Sequence, residues 1–250
     1  MSNLHFDTSH IESKPIRAAF DDAAYPQRVK SLMGDKAPAH LDMLGNVDIL
    51  DSDGLGFCGS RKSSAKGLET VQDCAEQAAH KDIAVISGNA AGIDFEAHYH
   101  CLKEGGKTIM VIPEGINHFR IRKALRDVWD WNRVLVISQF APDEPWQVYR
   151  AMTRNQLIIA LSRAMIVIEA GEKGGTLHAG KETLKSQLPL YVAQYEDMSV
   201  AARGNQSLLD MGAQRLAKST STNRANLEKV FASMKECDIH KKPALREHLL

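Results

Sequence analysis

The chain has 250 residues, 44% of them apolar and 25% charged, which suits a soluble globular protein with one large core that needs no metal or disulfide to hold it. Its 31 basic and 31 acidic residues cancel, giving a pI near 7.2, so a surface coated for polyanions is excluded and any nucleic-acid affinity must come from a local patch. Cys58, Cys74, Cys101 and Cys237 show no paired spacing, the first residues are neither basic nor apolar, and no long apolar window occurs; a reduced, cytoplasmic chain without a membrane span is expected.

In chain order, residues 1–44 are polar and broken by Pro15, Pro26 and Pro38, and they read as a partly ordered prefix with short helices over Ala18–Ala24 and Gln27–Met33. Asn46–Leu50 reads as an edge strand. Leu55–Cys58 is a strand that runs into Gly59-Ser60-Arg61-Lys62-Ser63-Ser64, and Ala65–His80 follows with apolar residues at helical spacing and Ser63 or Ser64 as its N-cap. A second strand, Ile83–Ile86, ends in Ser87-Gly88-Asn89-Ala90-Ala91-Gly92-Ile93-Asp94 before a helix over Phe95–Glu104. Thr108–Ile112 is a third strand, followed by a basic helix over Arg120–Trp131 and a strand at Val134–Ile137. An amphipathic segment ends at Leu161-Ser162. The β-branched run Ala164–Ile168 then reads as a central strand, with a glycine turn at 171–175 and a helix over Leu177–Gln187. Leu190–Ala193 is another strand, Asn205–Met211 a short helix and Gln214–Leu216 an edge strand, while the polar tail 218–250 has room for one helix at Arg224–Lys235. Strands alternating with helices imply a mostly parallel, doubly wound α/β sheet with flanking helices, its core spanning 45–217 and its ligand at the carboxyl ends of the strands.

Three of those strand ends carry glycine-rich turns. Glu169-Ala170-Gly171-Glu172-Lys173-Gly174-Gly175-Thr176 is either a tight connection or a phosphate site, since a glycine turn opening a helix offers unpaired N–H groups and a positive dipole end. Repetition of the same device at two other strand ends favours the phosphate.

Four segments in order resemble the DprA/Smf family of DNA-processing proteins: 59–67 (GSRKSSAKG), 87–94 with Ala97-His98, Arg154-Asn155 with 158–162 (IIALS), and Val167–Gly171 with Gly175-Thr176-Leu177. Weaker echoes stand at Tyr25-Pro26 and at Gly204-Asn205. The resemblance covers about 25–217 and implies an extended Rossmann-like fold, binding of single-stranded DNA, help in loading the recombinase RecA, a possible homodimer, and neither cofactor nor metal nor catalysis. By motif it implies a strand-binding site at Gly59, Ser60, Arg61, Lys62, Ser87, Gly88, Arg154, Asn155, Gly174, Gly175, Thr176, Leu177 and Lys181. Two arginines beside a helix N-terminus would grip a phosphodiester by bidentate and backbone hydrogen bonds.

The chain departs from the family's pattern at Gln156, at His178-Ala179-Gly180 and at Gln194-Tyr195, and it lacks room for the common C-terminal winged helix. The LOG-type nucleotide hydrolases share the fold and a G-G-x-G-T-x-x-E turn, but here Gly174-Gly175-Thr176 is followed by Glu182, displaced by about a helical turn, which counts against hydrolysis. Glu114 and Asp94 remain as carboxylates, Asp94 reading as an N-cap. His98, His100 and Cys101 resemble a metal cluster, but on a helix positions 98 and 100 point apart, which counts against one, and Trp129 and Trp131 read as core or interface. Ile158, Leu161, Leu208 and Leu209 are the apolar side chains offered for self-association.

Overall fold

A computed structural model describes residues 14–195, 202–219 and 221–236. Cys237 lies outside them. Nine strands form one sheet in the order β1-β2-β6-β5-β4-β3-β7-β8-β9. Its middle is built from β3 (Gly54–Cys58), β4 (Ala84–Ser87), β5 (Thr108–Val111), β6 (Val134–Ser138), β7 (Ala164–Val167) and β8 (Leu190–Ala193), all parallel. These are almost wholly buried because helices cover both faces. The chain winds outward from β3 to β6 in one direction and from β7 in the other, so the switch point lies between β3 and β7, whose Cys58 and Val167 are in register.

One face carries α2 (Ala65–His80) and α3 (Ile93–Lys103), and the tail helix α7 (Glu228–Glu236) joins them there through Leu227, Val230 and Met234. The other face carries α1 (Gln27–Met33), α4 (Val148–Leu161), α5 (Gly175–Lys185) and α6 (Arg203–Asp210). Ile158, Leu161 and Leu208 are buried in that layer and Leu209 is half-buried, so the apolar surface expected for self-association is spent on the monomer's own core.

Several elements differ from expectation. Ala18–Ala24 is not a helix: β1 (Ile16–Ala19) pairs antiparallel with β2 (His40–Gly45), which pairs antiparallel with β6. Arg17 Nε and Nη2 grip Asp42 at 2.8 and 2.9 Å, and Asp22 turns the chain by accepting from Ala19 N at 2.7 Å. The prefix therefore supplies two strands to the sheet, and β2 runs across the expected boundary at residue 44. In place of the strand expected over Asn46–Leu50 stands a 3-10 turn, Val47–Asp51, capped by the Asn46 side chain, which accepts from Asp48 N at 3.0 Å. The basic segment Arg120–Trp131 holds only a short 3-10 turn at Lys123–Leu125. Packing overrides its helical spacing: Phe119, Trp129 and Trp131 lock into an aromatic cluster, with Trp129 and Trp131 edge-on at 5.2 Å. At the far edge, β9 (Gln214–Leu216) pairs parallel with β8.

Candidate functional site

The turns after β3, β4 and β7 are hydrogen-bonded to one another at the carboxyl edge of the sheet. Thr176 Oγ1 donates to Gly59 O at 3.0 Å, tying the start of α5 to the β3 turn. Ile93 N donates to Ser60 O at 3.2 Å, tying the start of α3 to the same turn. Within the β3 turn, Ser63 Oγ donates to Ser60 O at 2.8 Å and Ser60 Oγ accepts from Lys62 N at 3.0 Å.

Helix α5 begins at Gly174, whose φ of +114° suits only glycine, and no side chain caps it. The N–H groups of Gly175, Thr176 and Leu177 therefore remain available at the positive end of the helix, while the Leu177 side chain is buried. A Cβ at Gly174 or Gly175 would meet open space, so the helix start is unobstructed. Arg61 and Lys62 are exposed beside it on the β3 turn, and Lys181 is exposed further along α5. Among the described residues none of these three side chains has an ion-pair partner.

Arg154 occupies a different position from the one its motif suggests. It is only 4% exposed, laid over Gly88 so closely that a Cβ there would fall 1.6 Å from its Nη1. Asp94 lies 3.9 Å away, and the guanidinium's Nε and Nη1 are buried without a hydrogen-bond partner. Burial lowers the Arg154 pKa, opposed first by the Asp94 charge. The residue is thus a charge beneath the turns, not a fork open at their rim. Asp94 is not the expected N-cap, a place taken by Gly92; its Oδ2 accepts instead from Ala90 N at 3.3 Å. Asn155, next to Arg154, is half-buried. Ser87 leaves the site altogether, because its hydroxyl is buried and donates to Phe57 O at 2.8 Å, stitching β4 to β3.

His98 forms the floor under Gly88. Its Nε2 donates to Gly88 O at 2.8 Å and its Nδ1 meets the Thr108 hydroxyl at 2.5 Å, which engages both ring nitrogens within the core. Burial drives its pKa down to about 4, so the ring is neutral. Burial likewise pushes the Cys58 thiol up to about 12, with the Asp94 charge second. Glu114, half-buried after β5, has its pKa raised by burial and carries a buried Oε2 without a partner.

Two supports of the β7 turn escaped the sequence. Glu169 is buried and accepts from Ser64 N at 2.9 Å and from the Ser64 hydroxyl, so its charge caps α2. Asn205 on α6 is fully buried; its Nδ2 donates to Ile168 O and Ala193 O at 2.7 and 2.8 Å, and its Oδ1 accepts from Ala170 N at 2.7 Å. A signal existed in the Gly204-Asn205 pair, whose glycine packs onto the same turn with N–H to Ala170 O at 2.8 Å. A cavity of about 680 Å³ lies elsewhere, between α2 and the ends of β8 and β9. Its lining mixes Glu69, Asp73 and Glu76 with Lys66, Lys218 and Arg224, and Arg224 is already paired with Asp73 and Glu76.

The sequence model of the family described as DNA recombination-mediator protein A matches residues 17–226, most of the chain. The chain belongs to that family. It is 29% identical over 216 residues to the DNA processing protein DprA of Streptococcus pneumoniae, covering 84% of this chain and 75% of that one. To the Bacillus subtilis DprA it is 28% identical, covering 77% and 65%. The solved structure of the S. pneumoniae protein superposes with a TM-score of 0.73 over 82% of this chain and 71% of that one. A Helicobacter pylori DNA processing protein A, described for its single-stranded DNA binding mode, superposes with a TM-score of 0.72 at 22% identity, over 88% and 96% of the two chains. The DprA fold is therefore that of this chain, an extended α/β sheet of Rossmann type. Among the described residues no helix is long and apolar enough to cross a membrane.

Proposed function

We propose that this family member binds single-stranded DNA in the cytoplasm through the three linked turns, supports assembly of RecA on the bound strand, and acts by binding and not by catalysis. The observation that carries the reading is the uncapped start of α5, held by Thr176 against the turn whose Arg61 has no partner among the described residues. Free N–H groups and an unpaired guanidinium on one ridge are the chemistry of a phosphodiester grip. Gly59, Ser60 and Lys62 shape the adjoining turn, and Lys181 extends the positive ridge. Arg154 contributes from below, as a partly neutralised positive charge that also holds Gly88 and Asp94 in place. The Ser87 hydroxyl is taken up by Phe57 O and adds nothing to the grip. The shared fold of the H. pylori protein supports the same reading.

Fluorescence anisotropy with a labelled oligothymidylate across a salt series tests it. Binding should weaken steeply with salt, and Arg61→Ala should lower affinity roughly tenfold or more while reducing the salt slope by about one. An oligonucleotide that fails to bind at low salt would remove the proposal. RecA assembly on the strand with and without the protein tests the finer role. The homodimer that the resemblance implies must use surface other than Ile158, Leu161 and Leu208, and a single-chain mass by light scattering would dismiss it.

A further inference from the structure

The first turn of α4 and the loop before it carry a patch that the phosphate grip does not use. Trp146 is 49% exposed, Tyr149 58%, Val148 66% and Met152 41%, four of the large apolar side chains most open to solvent among the described residues. The patch is rigidly mounted. Arg150 is buried beneath it, with its guanidinium carbon 5.5 Å from the Tyr149 ring and 5.6 Å from Phe140. Arg150 Nε donates to Tyr149 Oη at 3.1 Å and Nη1 to Pro145 O at 2.6 Å, and Nη2 pairs with Glu144. The loop itself is pinned to the β5 turn, where Gly115 N donates to Glu144 O at 2.8 Å and Asn117 N to Pro142 O at 3.0 Å.

Position decides what such a patch would meet. Helix α4 follows the carboxyl end of β6 and returns to the start of β7, so its first turn lies at the same edge of the sheet as the three glycine turns. Tyr149 precedes Arg154 on that helix by about 7.5 Å of axial rise, and Arg154 already touches Gly88. The patch and the ridge of α5 and Arg61 therefore share one edge of the sheet, along which a bound strand would run. Flat rings held in place and left open lose little entropy when a base stacks on them.

We propose that Trp146 and Tyr149 form a stacking platform for unpaired nucleobases of that same strand. This rests on the DNA-binding reading above. The occupant is a base, because the patch stands at the same edge of the sheet as the phosphate ridge and carries two exposed aromatic side chains, of which Tyr149 lies against the fixed Arg150 guanidinium.

The test uses the full chain and a labelled oligothymidylate, alongside an oligomer of equal length whose central residues are abasic. Trp146→Ala and Tyr149→Ala should each weaken binding of the normal oligomer roughly 5- to 100-fold and leave the salt slope unchanged, and Trp146→Ala should keep the wild-type melting temperature. The abasic oligomer should bind the wild type weakly and the double variant no worse, and Trp146→Phe should restore most of the affinity. Normal binding by both alanine variants would overturn the platform while leaving the phosphate grip standing. The same unchanged affinity with a lower mass by light scattering would reassign the patch to contact between copies of the chain. No binding by the wild type would instead sink the DNA reading on which the platform depends.

Discussion

At the scale of single residues, the site is organised by buried groups that look reactive in the sequence and are structural in the fold. His98 is the clearest case. Both ring nitrogens are engaged within the core, and its pKa falls to about 4 because burial penalises the charged form. In the unfolded chain the imidazole takes up a proton near pH 6.5. The stability gained by keeping it neutral is therefore complete above about pH 6.5 and is lost as the pH drops toward 4, at up to about 1.4 kcal/mol per unit. Denaturant titrations at pH 7, 6 and 5 should show this decline in the wild type and a shallower one in His98→Gln. Equal slopes in the two proteins would assign the loss to other groups. Gly88, which the sequence reading placed at the site, sits between His98 and Arg154 and, lacking a Cβ, admits Arg154 closely.

At the scale of elements, the glycine turn after β7 is a frame braced from two sides. Asn205 reaches from α6 to three backbone groups at the ends of β7 and β8, all on buried residues. Asn205→Ala should lower the unfolding free energy by about 3 kcal/mol, and Asn205→Asp by more at neutral pH because its carboxylate would face two carbonyl oxygens. The comparison by thermal or chemical unfolding fails the bracing account if the two variants match the wild type. The start of α5 gives an opposite signature. Gly175→Asp adds an anion in open space at a helix N-terminus, so it should stabilise the fold by about 0.5 kcal/mol and strongly weaken oligonucleotide binding. A variant that binds normally would move the phosphate off this helix.

Legibility followed the range of the physical cause. The turns at Gly59–Ser64 and Gly171–Gly175 and the strands between them were readable because glycine, β-branching and helical spacing are local. Ser63 or Ser64 was read as the N-cap on the same ground, and it is Ser64 that caps, by accepting from Gly67 N at 3.1 Å. The burial of Arg154 was not readable, since it depends on Gly88 and Asp94 brought close by folding. Nor was the loss of the helix at Arg120–Trp131, where three aromatic rings outweigh the local propensity. Ser87 was misread for a similar reason: a hydroxyl at a strand end looks available until the neighbouring strand supplies the Phe57 carbonyl.

For the molecule as a whole, the segment after β9 belongs to the core and not to an appendage. Leu227, Val230 and Met234 are buried against the sheet, Tyr191 Oη donates to Lys229 O at 2.8 Å, and Gln77 Nε2 donates to Ala225 O at 2.9 Å. Removing residues 218–250 should cost on the order of 5 kcal/mol, taking about 1.5–3 kcal/mol for each buried side chain. That is most of the stability of an ordinary domain, so the shortened chain should melt far below the full one or fail to fold. A truncation that melts as the full chain does would return the tail to the status of an independent extension.

The two margins of the sheet have a bearing on how the protein behaves in a crowded cell. β1 is four residues long with Arg17 drawn to its own neighbour Asp42, and β9 is three residues long with Gln214 and Arg215 facing solvent. Short borders dressed with charge offer poor templates for another chain's strand, so the sheet resists amyloid-like stacking and runaway polymerisation. Growth of any assembly is thereby steered to helix surfaces, where contacts can be made and released without opening the sheet.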